Sequence, residues 1–399
     1  MSNGGLSKER LGRMRGVMTG YVERGELPGM VTLVSRRGEL RVEAIGMKGI
    51  GGSDPMRRDT IFRIASLTKP LTAAAAMILV EECKLRLDDA VNEFLPELAD
   101  RRVLRLLDGP VDDTVPASRP ITLRDLLTLR LGIGAVMAPP GRYPIQKAIA
   151  EAGLAPGPNP ISIAPDEWMK RLGSLPLIHQ PGEAWMYHTG SDVLGVLISR
   201  AAGRTLEDFT RERIFEPLGM KDTGFHVPDS ELDRLPPSYM TNRETGGLMV
   251  HDEPQSSLWR SPSVFPSGGG GLVSTADDYL AFCRMMLNKG SSGRMRILSR
   301  PSVELMTMDH LTPEQKAEAH VFLGGSSGWG FGVGVSVRRN DLAGVPGRFG
   351  WDGSTGTSAY SDPKEDLIGL LLTQRLMDNP GPPNALLDFW TSAYQAIDD

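Results

Sequence analysis

Three serines of this 399-residue chain lie in motifs that could supply a nucleophile. Ser66 and Lys69 in "SLTK" have S-x-x-K spacing. Ser361 and Lys364 in "SDPK" have the same spacing, and Ser326 is the centre of a G-x-S-x-G in "GGSSG". A serine hydroxyl is a poor nucleophile until a neighbouring base accepts its proton, and lysine can be that base when its pKa is lowered. The surroundings of each serine must therefore decide between them.

Only Ser66 stands where a helix begins. The apolar run "PLTAAAAM" that follows "SLTK" predicts a helix over 67–84 with Ser66 as its N-cap. Residues three apart share a helix face, so the amine of Lys69 can approach the serine hydroxyl. A cation in the first turn opposes the helix dipole, which favours a chemical role for Lys69, while the backbone N–H of Ser66 can face an oxyanion. The alternative is a plain cap with a solvent-facing lysine.

The other two serines lack a suitable context. A nucleophile elbow at Ser326 needs a helix after it, but "WGFGVGVSV" alternates as a strand does. Pro363 makes the stretch around Ser361 and Lys364 a turn, in which the two side chains have no reason to meet. We therefore expect a solvated hairpin loop there.

Strand patterns occur near both ends of the chain. The alternation over 29–46 predicts a hairpin, and further strand-like runs follow near the C-terminus, at 328–339, 356–363 and 366–375. Helices are expected at 6–25, at the closing segment "ALLDFWTSAYQAID", and after the glycine run "SGGGG", with Ser274 or Thr275 as the cap. Between 95 and 265 short helical segments alternate with loops rich in proline and glycine.

This order predicts an α/β fold of the α+β type. Distant strands would share one antiparallel sheet covered by the N- and C-terminal helices. We expect residues 1–94 and 266–399 to form this domain and 95–265 to form an inserted, mainly helical domain. A cleft between the two is the expected place for an active site.

Composition excludes some classes of function. A net charge of −5 without a basic patch argues against a nucleic-acid partner. The first residues lack the apolar stretch of a signal peptide, and no apolar run is long enough to cross a membrane, so we expect a cytoplasmic protein. Cys83 and Cys283 lie in helical patterns without nearby Cys or His, which predicts buried free thiols rather than a metal site or a disulfide.

Four segments in order resemble the class C β-lactamase and penicillin-binding-protein-like superfamily of serine hydrolases, with the family VIII carboxylesterases as the most similar group. They are "SLTK", "PGEAWMYHTGSDVLGVLI", "FPSGGGGLVSTADDYLAF" and "GRFGWDGSTGTSAYSDPKEDLIGLLLTQ". The resemblance covers nearly the whole chain, from the first helix to the last strand. It implies the β-lactamase/transpeptidase-like fold and chemistry that needs neither a metal nor an organic cofactor.

The resemblance assigns a catalytic set. Ser66 matches the acylated nucleophile, Lys69 its partner in proton transfer, and Tyr187 the tyrosine of the Y-x-N or Y-x-S motif, which moves protons between nucleophile and leaving group. Without the family, Tyr187 reads as a core aromatic beside Trp185. Thr189 stands at the motif's third position and keeps a hydroxyl donor. His188 is a tempting base, but Tyr187 already has that role in the family, so we expect His188 to pack beside the site.

The resemblance also bears on the substrate. Penicillin-recognising members carry Lys-Thr-Gly or His-x-Gly on the strand that lines the site, whereas this chain has Trp351, Asp352 and Gly353. An indole offers apolar area and one N–H donor but no charge to hold a carboxylate. The flanking glycines favour a cleft wall for Trp351 over a place in the core. The N–H of Ser354 matches the second oxyanion donor, and Tyr239 is a candidate substrate contact.

The sequence thus predicts a serine carboxylesterase acting on small-molecule esters of small to medium acyl groups through an acyl-enzyme on Ser66. Alternatives in the same superfamily are a β-lactamase, a D-peptide or amide hydrolase, and an acyltransferase. An alternative of another class is a catalytically inactive binding module that keeps the fold. Presence of all three catalytic residues argues against the last.

Overall fold

The computed structural model describes residues 4–399 and is built around one antiparallel sheet. Its seven strands run in the order β11-β12-β13-β14-β15-β1-β2, and short two-stranded pairs lie outside it. The strands are β1 Gly29–Arg36, β2 Glu39–Gly46, β3 Phe62–Arg63, β4 Arg102–Leu104, β5 Thr114–Pro116, β6 Ser238–Thr241, β7 Leu248–Asp252, β8 Val273–Ser274, β9 Ser291–Ser292, β10 Met295–Arg296, β11 Ser327–Trp329, β12 Gly334–Ser336, β13 Phe349–Gly353, β14 Thr357–Asp362 and β15 Leu367–Thr373.

The two ends of the chain meet at the centre of this sheet. Strand β1 pairs with β15 in a register that sets Met30 opposite Thr373, and β1 also forms the predicted hairpin with β2. Every residue of β1 and β15 is buried, as expected for strands covered on both faces. The predicted fold class, a sheet assembled from distant strands, is confirmed.

Helices cover both faces of the sheet. They are α1 Lys8–Glu23, α2 Thr68–Glu81, α3 Leu123–Leu127, α4 Pro144–Glu151, α5 Pro165–Ser174, α6 Thr189–Ala202, α7 Leu206–Thr210, α8 Glu216–Leu218, α9 Ala276–Leu287, α10 Arg300–Met306, α11 Pro313–Glu318, α12 His320–Leu323 and α13 Asn384–Gln395. Met30 and Val34 point into the core beneath α1 and α13, while Val31 and Leu33 point to the opposite core, which contains α2 and α9. The period-two alternation of β1 thus serves two cores.

All seven strands of the sheet fall within 29–46 and 327–373, and the chain between 95 and 265 is mainly helical. The division into 1–94 with 266–399 and an inserted 95–265 remains our proposal.

Several details differ from the predictions. The run 328–339 is two strands, β11 and β12, because 330–333 leaves the sheet; at Gly332, φ is +71° and a Cβ would meet the Lys69 carbonyl at 2.7 Å. Strand β13 was missed because its glycines hide the alternation. The buried-thiol prediction is right for Cys283 and wrong for Cys83, which is exposed just after α2. Thr275, and not Ser274, caps α9.

Candidate active site

Ser66 lies in a 3-10 turn, Ala65–Leu67, directly before α2. The prediction that it is the N-cap is wrong: α2 begins at Thr68, and no side chain caps it. The Thr68 hydroxyl instead donates to the Ala65 carbonyl at 2.7 Å and accepts the Leu272 N–H at 3.1 Å. Ala65 has a φ of +43°, a rare conformation for a residue with a side chain. The serine hydroxyl is thereby free of backbone duties.

Lys69 is 1% exposed in the first turn of α2. Its Nζ lies 3.0 Å from Ser66 Oγ and donates to the Gly269 carbonyl at 2.6 Å. It also lies 3.2 Å from His188 Nδ1. Burial lowers the pKa of Lys69 to about 7, although the charge of Asp192 acts in the opposite direction. The amine is therefore available as a base near neutral pH.

Tyr187 covers the lysine from the other side. Lys69 Nζ lies 4.5 Å from the centre of its ring, and the indole N–H of Trp351 donates to its hydroxyl at 2.7 Å. Burial raises the pKa of Tyr187 well above its ordinary value, against the opposing effects of the neighbouring Ser66 and Trp351 side chains. The phenol thus stays protonated and is a proton donor.

Trp351 on β13 is 7% exposed, so its surroundings are not open as its flanking glycines suggested. Its ring meets that of Trp329 edge-on at 4.6 Å and lies against Gly334, where a Cβ would come within 2.8 Å of the indole. The indole is part of an aromatic cluster and reaches the site through its single N–H donor. Contact with a substrate remains a prediction.

The end of β13 is tied to the turn that carries Ser66. Gly353 lies so close to the Ile64 carbonyl that a Cβ would come within 2.4 Å of its oxygen, and Thr357 Oγ1 donates to the same carbonyl at 3.2 Å. Within residues 4–399, the backbone N–H groups of Ser66 and Ser354 have no acceptor. Two unpaired N–H groups beside a serine hydroxyl are the donors that an oxyanion requires.

Sequence reasoning missed the other side of Lys69. His188 Nε2 lies 3.1 Å from Asp192 Oδ2, while its Nδ1 faces the lysine. Asp192 is buried, and its Oδ1 accepts from Ser267 Oγ at 2.5 Å and from the Gly269 N–H at 3.0 Å. The spacing of i and i+4 at the start of a helix is the signal that could have indicated this pair.

The glycine run makes room for this contact. A Cβ at Gly269 would lie 2.8 Å from His188 Nε2 and 3.0 Å from Asp192 Oδ1. At Gly268 it would meet the Ser191 carbonyl at 2.4 Å, so α6 and the run are in close contact. Glycine is required here for close approach.

The remaining predicted residues lie at different distances from this centre. Thr189 is buried in the first turn of α6 and, with His188 and Asp192, lines a cavity of about 290 Å³ beneath the loop 153–163. Tyr239 is buried on β6, and its hydroxyl accepts the Ile50 N–H at 3.0 Å. No contact joins Tyr239 to the Ser66 centre among residues 4–399, so its role remains a prediction.

Ser326 directly precedes strand β11, as the argument against a nucleophile elbow required. In the part of the chain that the structure describes, no group of three or more His, Cys, Asp or Glu side chains could hold a metal ion. Within the same residues, no helix is both long enough and apolar enough to cross a membrane.

Known proteins share this architecture. Protein Rv1367c of Mycobacterium tuberculosis is 42% identical over 364 residues, which cover 89% of this chain and 87% of that protein. Esterase EstB of Burkholderia gladioli is 30% identical over 390 residues, 93% and 92% of the two chains. The solved structure of EstCE1, "a hydrolase with promiscuous acyltransferase activity", superposes with a TM-score of 0.80 at 26% identity and covers 96% of this chain and 98% of its own.

The model of one family, Beta-lactamase, matches residues 14–387. Esterases among the relatives are consistent with the resemblance found in the sequence. Together they support a hydrolase or acyltransferase with this fold. Because the family match runs from α1 into α13 and includes every side chain of the site, this chain belongs to the β-lactamase family.

Proposed function

We propose that the protein is a serine carboxylesterase that hydrolyses small to medium acyl esters through an acyl-enzyme on Ser66. The observation that carries the proposal is the buried Lys69 amine, 3.0 Å from Ser66 Oγ, with a pKa lowered to about 7. A base poised near the working pH is what activation of a serine hydroxyl requires. The proposal places the enzyme in the cytoplasm, on the sequence argument alone.

Acylation begins when Ser66 Oγ bonds to the ester carbonyl carbon and its proton moves to Lys69 Nζ. The carbonyl oxygen becomes an oxyanion between the N–H groups of Ser66 and Ser354, which have no competing acceptor in residues 4–399. When the C–O bond breaks, the Tyr187 hydroxyl gives its proton to the leaving alkoxide and takes one from Lys69. Water then attacks the acyl-enzyme by the same steps in reverse order, and the acid is released.

An uncharged ester suits this site better than a β-lactam. Strand β13 presents Trp351, Asp352 and Gly353, and the Trp351 N–H is already bound to Tyr187. The strand thus offers no cation for a substrate carboxylate. Esterase EstB, which aligns over 93% of this chain, points to the same substrate class.

An acyltransferase is the second candidate. EstCE1 is described as a hydrolase that also transfers acyl groups, and its fold covers 96% of this chain. The chemistry differs only in the acceptor, since an alcohol replaces water in the second half of the reaction.

The test uses p-nitrophenyl esters of increasing chain length, a chromogenic cephalosporin, and an added alcohol as acceptor. We expect ester turnover that disappears in Ser66→Ala, with little turnover of the cephalosporin. Faster turnover of the cephalosporin than of every ester would overturn the substrate class. Ester product appearing in place of acid when alcohol is added would favour the transferase, and no turnover of anything would favour the binding module.

A further inference from the structure

His188 is held in a strained backbone conformation at the entrance to α6. Its φ is +82° and its ψ is −64°, and the Thr189 N–H donates back to the Tyr187 carbonyl at 3.3 Å. This is a γ-turn of the rare type, whose positive φ costs on the order of 1–3 kcal/mol for a residue with a side chain. Strain of this kind persists where the surroundings require the side chain in one place.

The contacts of Asp192 determine which nitrogen of His188 carries the proton. Burial pushes the pKa of Asp192 up, but His188 and the hydrogen bonds from Ser267 and Gly269 more than offset it, so the pKa is lowered and the carboxylate is ionised. An ionised carboxylate only accepts hydrogen bonds. His188 Nε2 must therefore carry a proton to donate to Asp192 Oδ2, 3.1 Å away. In the neutral ring, Nδ1 is then an acceptor that faces Lys69.

This tautomer fixes the orientation of the lysine amine. Neutral Lys69 has two N–H groups and one lone pair, and three groups surround its Nζ: the Gly269 carbonyl at 2.6 Å, His188 Nδ1 at 3.2 Å and Ser66 Oγ at 3.0 Å. The first two can only accept. They take the two N–H groups, so the lone pair is left pointing at the serine hydroxyl.

Resting on the proposed function above, we propose that Asp192 and His188 are positioning residues that aim the lone pair of Lys69 at the Ser66 hydroxyl. The chain of contacts runs Asp192, His188, Lys69, Ser66, and the proton of Ser66 is the only one that moves in the attack. Two further titratable groups face this chain. The Tyr187 ring covers Lys69, and the charge of Asp352 acts on Tyr187 from β13.

The first variant is His188→Gly, which removes the imidazole and relieves the strain, because glycine adopts positive φ freely. We expect kcat on a p-nitrophenyl ester to fall about 10²-fold while KM changes little and Tm stays within a few degrees of the wild type. His188→Asn tolerates positive φ and sets an amide oxygen near the position of Nδ1, so it should recover kcat to within about tenfold of the wild type.

Imidazole supplies a second readout. The cavity of about 290 Å³ beside His188 is large enough to admit it, so added imidazole should raise the kcat of His188→Gly in a saturable manner. It should leave the wild type unchanged.

Asp192→Asn tests the tautomer. The side-chain oxygen that accepts from Ser267 and the Gly269 N–H must remain an oxygen, so the new NH₂ falls opposite His188 Nε2. Two donors cannot face each other, and the ring proton moves to Nδ1, where it turns the lysine lone pair away from Ser66. We expect kcat to fall about 10²- to 10⁴-fold, as a wrong histidine tautomer does in serine proteases. The acid limb of kcat/KM should also move to lower pH, because a charge that raises the pKa of Lys69 is gone.

The matched control is His226→Ala, which removes the other histidine–carboxylate pair, with Glu207 at 3.1 Å. It should retain wild-type kcat. The inference is overturned if His188→Gly keeps kcat within twofold of the wild type, if His188→Asn is no better than His188→Gly, or if Asp192→Asn leaves the acid limb in place. Wild-type ester turnover that is lost in Ser66→Ala is measured first, so a failure of the esterase proposal is recognised separately.

Discussion

The chain contains the same four-residue spacing twice, at Ser66–Lys69 and at Ser361–Lys364, and the two copies have opposite surroundings. Lys69 is 1% exposed and its amine touches the serine. Lys364 is exposed in the turn between β14 and β15, where its backbone N–H donates to Asp362 Oδ1 at 2.9 Å. Ser361 is buried in strand β14. Spacing creates a reactive pair only where a helical turn brings both side chains to one face and the core removes water from the amine.

The strongest test of this comparison replaces each serine in turn. Ser66→Ala should reduce ester kcat by at least about 10⁴-fold, because no other group can form the acyl-enzyme. Ser361→Ala should leave kcat unchanged and affect only stability, since Ser361 is buried away from the site. Steady-state kinetics on a p-nitrophenyl ester measures both. Equal losses in the two variants would end the distinction.

The next test replaces the two lysines. Lys69→Met should lower kcat by about 10³-fold, and Lys364→Met should not change it. In the wild type and in Lys364→Met, kcat/KM should rise with pH through about 7, where Lys69 loses its proton and becomes a base. An acid limb that persists unchanged in Lys69→Met would assign the titration to another group.

A smaller loss is expected from the tyrosine that accompanies the first pair. Tyr187→Phe removes the hydroxyl that the Trp351 N–H holds at 2.7 Å, and we expect kcat to fall about 10²-fold. Tyr394→Phe is the matched control near the second pair, because its hydroxyl donates to Asp362 Oδ2 at 2.8 Å. It should cost about 1 kcal/mol of stability and leave kcat intact. Rate measurements and thermal unfolding on the same samples separate the two effects.

The smallest effect concerns stability against pH. Burial lowers the pKa of Lys69 from the ordinary 10.5 to about 7, so between these values the unfolded chain binds more protons than the folded protein. The free energy of unfolding therefore rises with pH through this window, by on the order of 1 kcal/mol per pH unit from this group. Lys69→Met should gain its advantage over the wild type as pH falls toward 7. Parallel denaturation curves for the two proteins at pH 7 and pH 10 would contradict the shift.

The sequence predicted the fold and the identity of the central residues well, because both depend on local patterns. Alternation located β1, β2, β14 and β15, and an apolar run with an unexpected lysine pointed to Ser66 and Lys69. The family resemblance added Tyr187. Strand β13 and the break after β11 were not predictable in this way, since glycines at both places remove the hydrophobic alternation.

The second half of the site escaped prediction for a different reason. His188 reaches Lys69 only because the backbone takes a rare turn before α6, and no local pattern specifies such a turn. Trp351 was expected on an open wall, yet Trp329 and Gly334 enclose it from strands that are distant in sequence. Contacts of this kind depend on the assembled sheet.

The Gly269 peptide has a consequence for how this site can vary. Its carbonyl accepts from Lys69 and its N–H donates to Asp192, so one planar group sets the spacing between two side chains from different helices. Any shift of that plane moves both partners together and preserves their separation. Sequence drift at the mouth of the cleft can thus alter which molecules enter without detuning the base, whereas a single methyl at position 269 would disturb both ends at once.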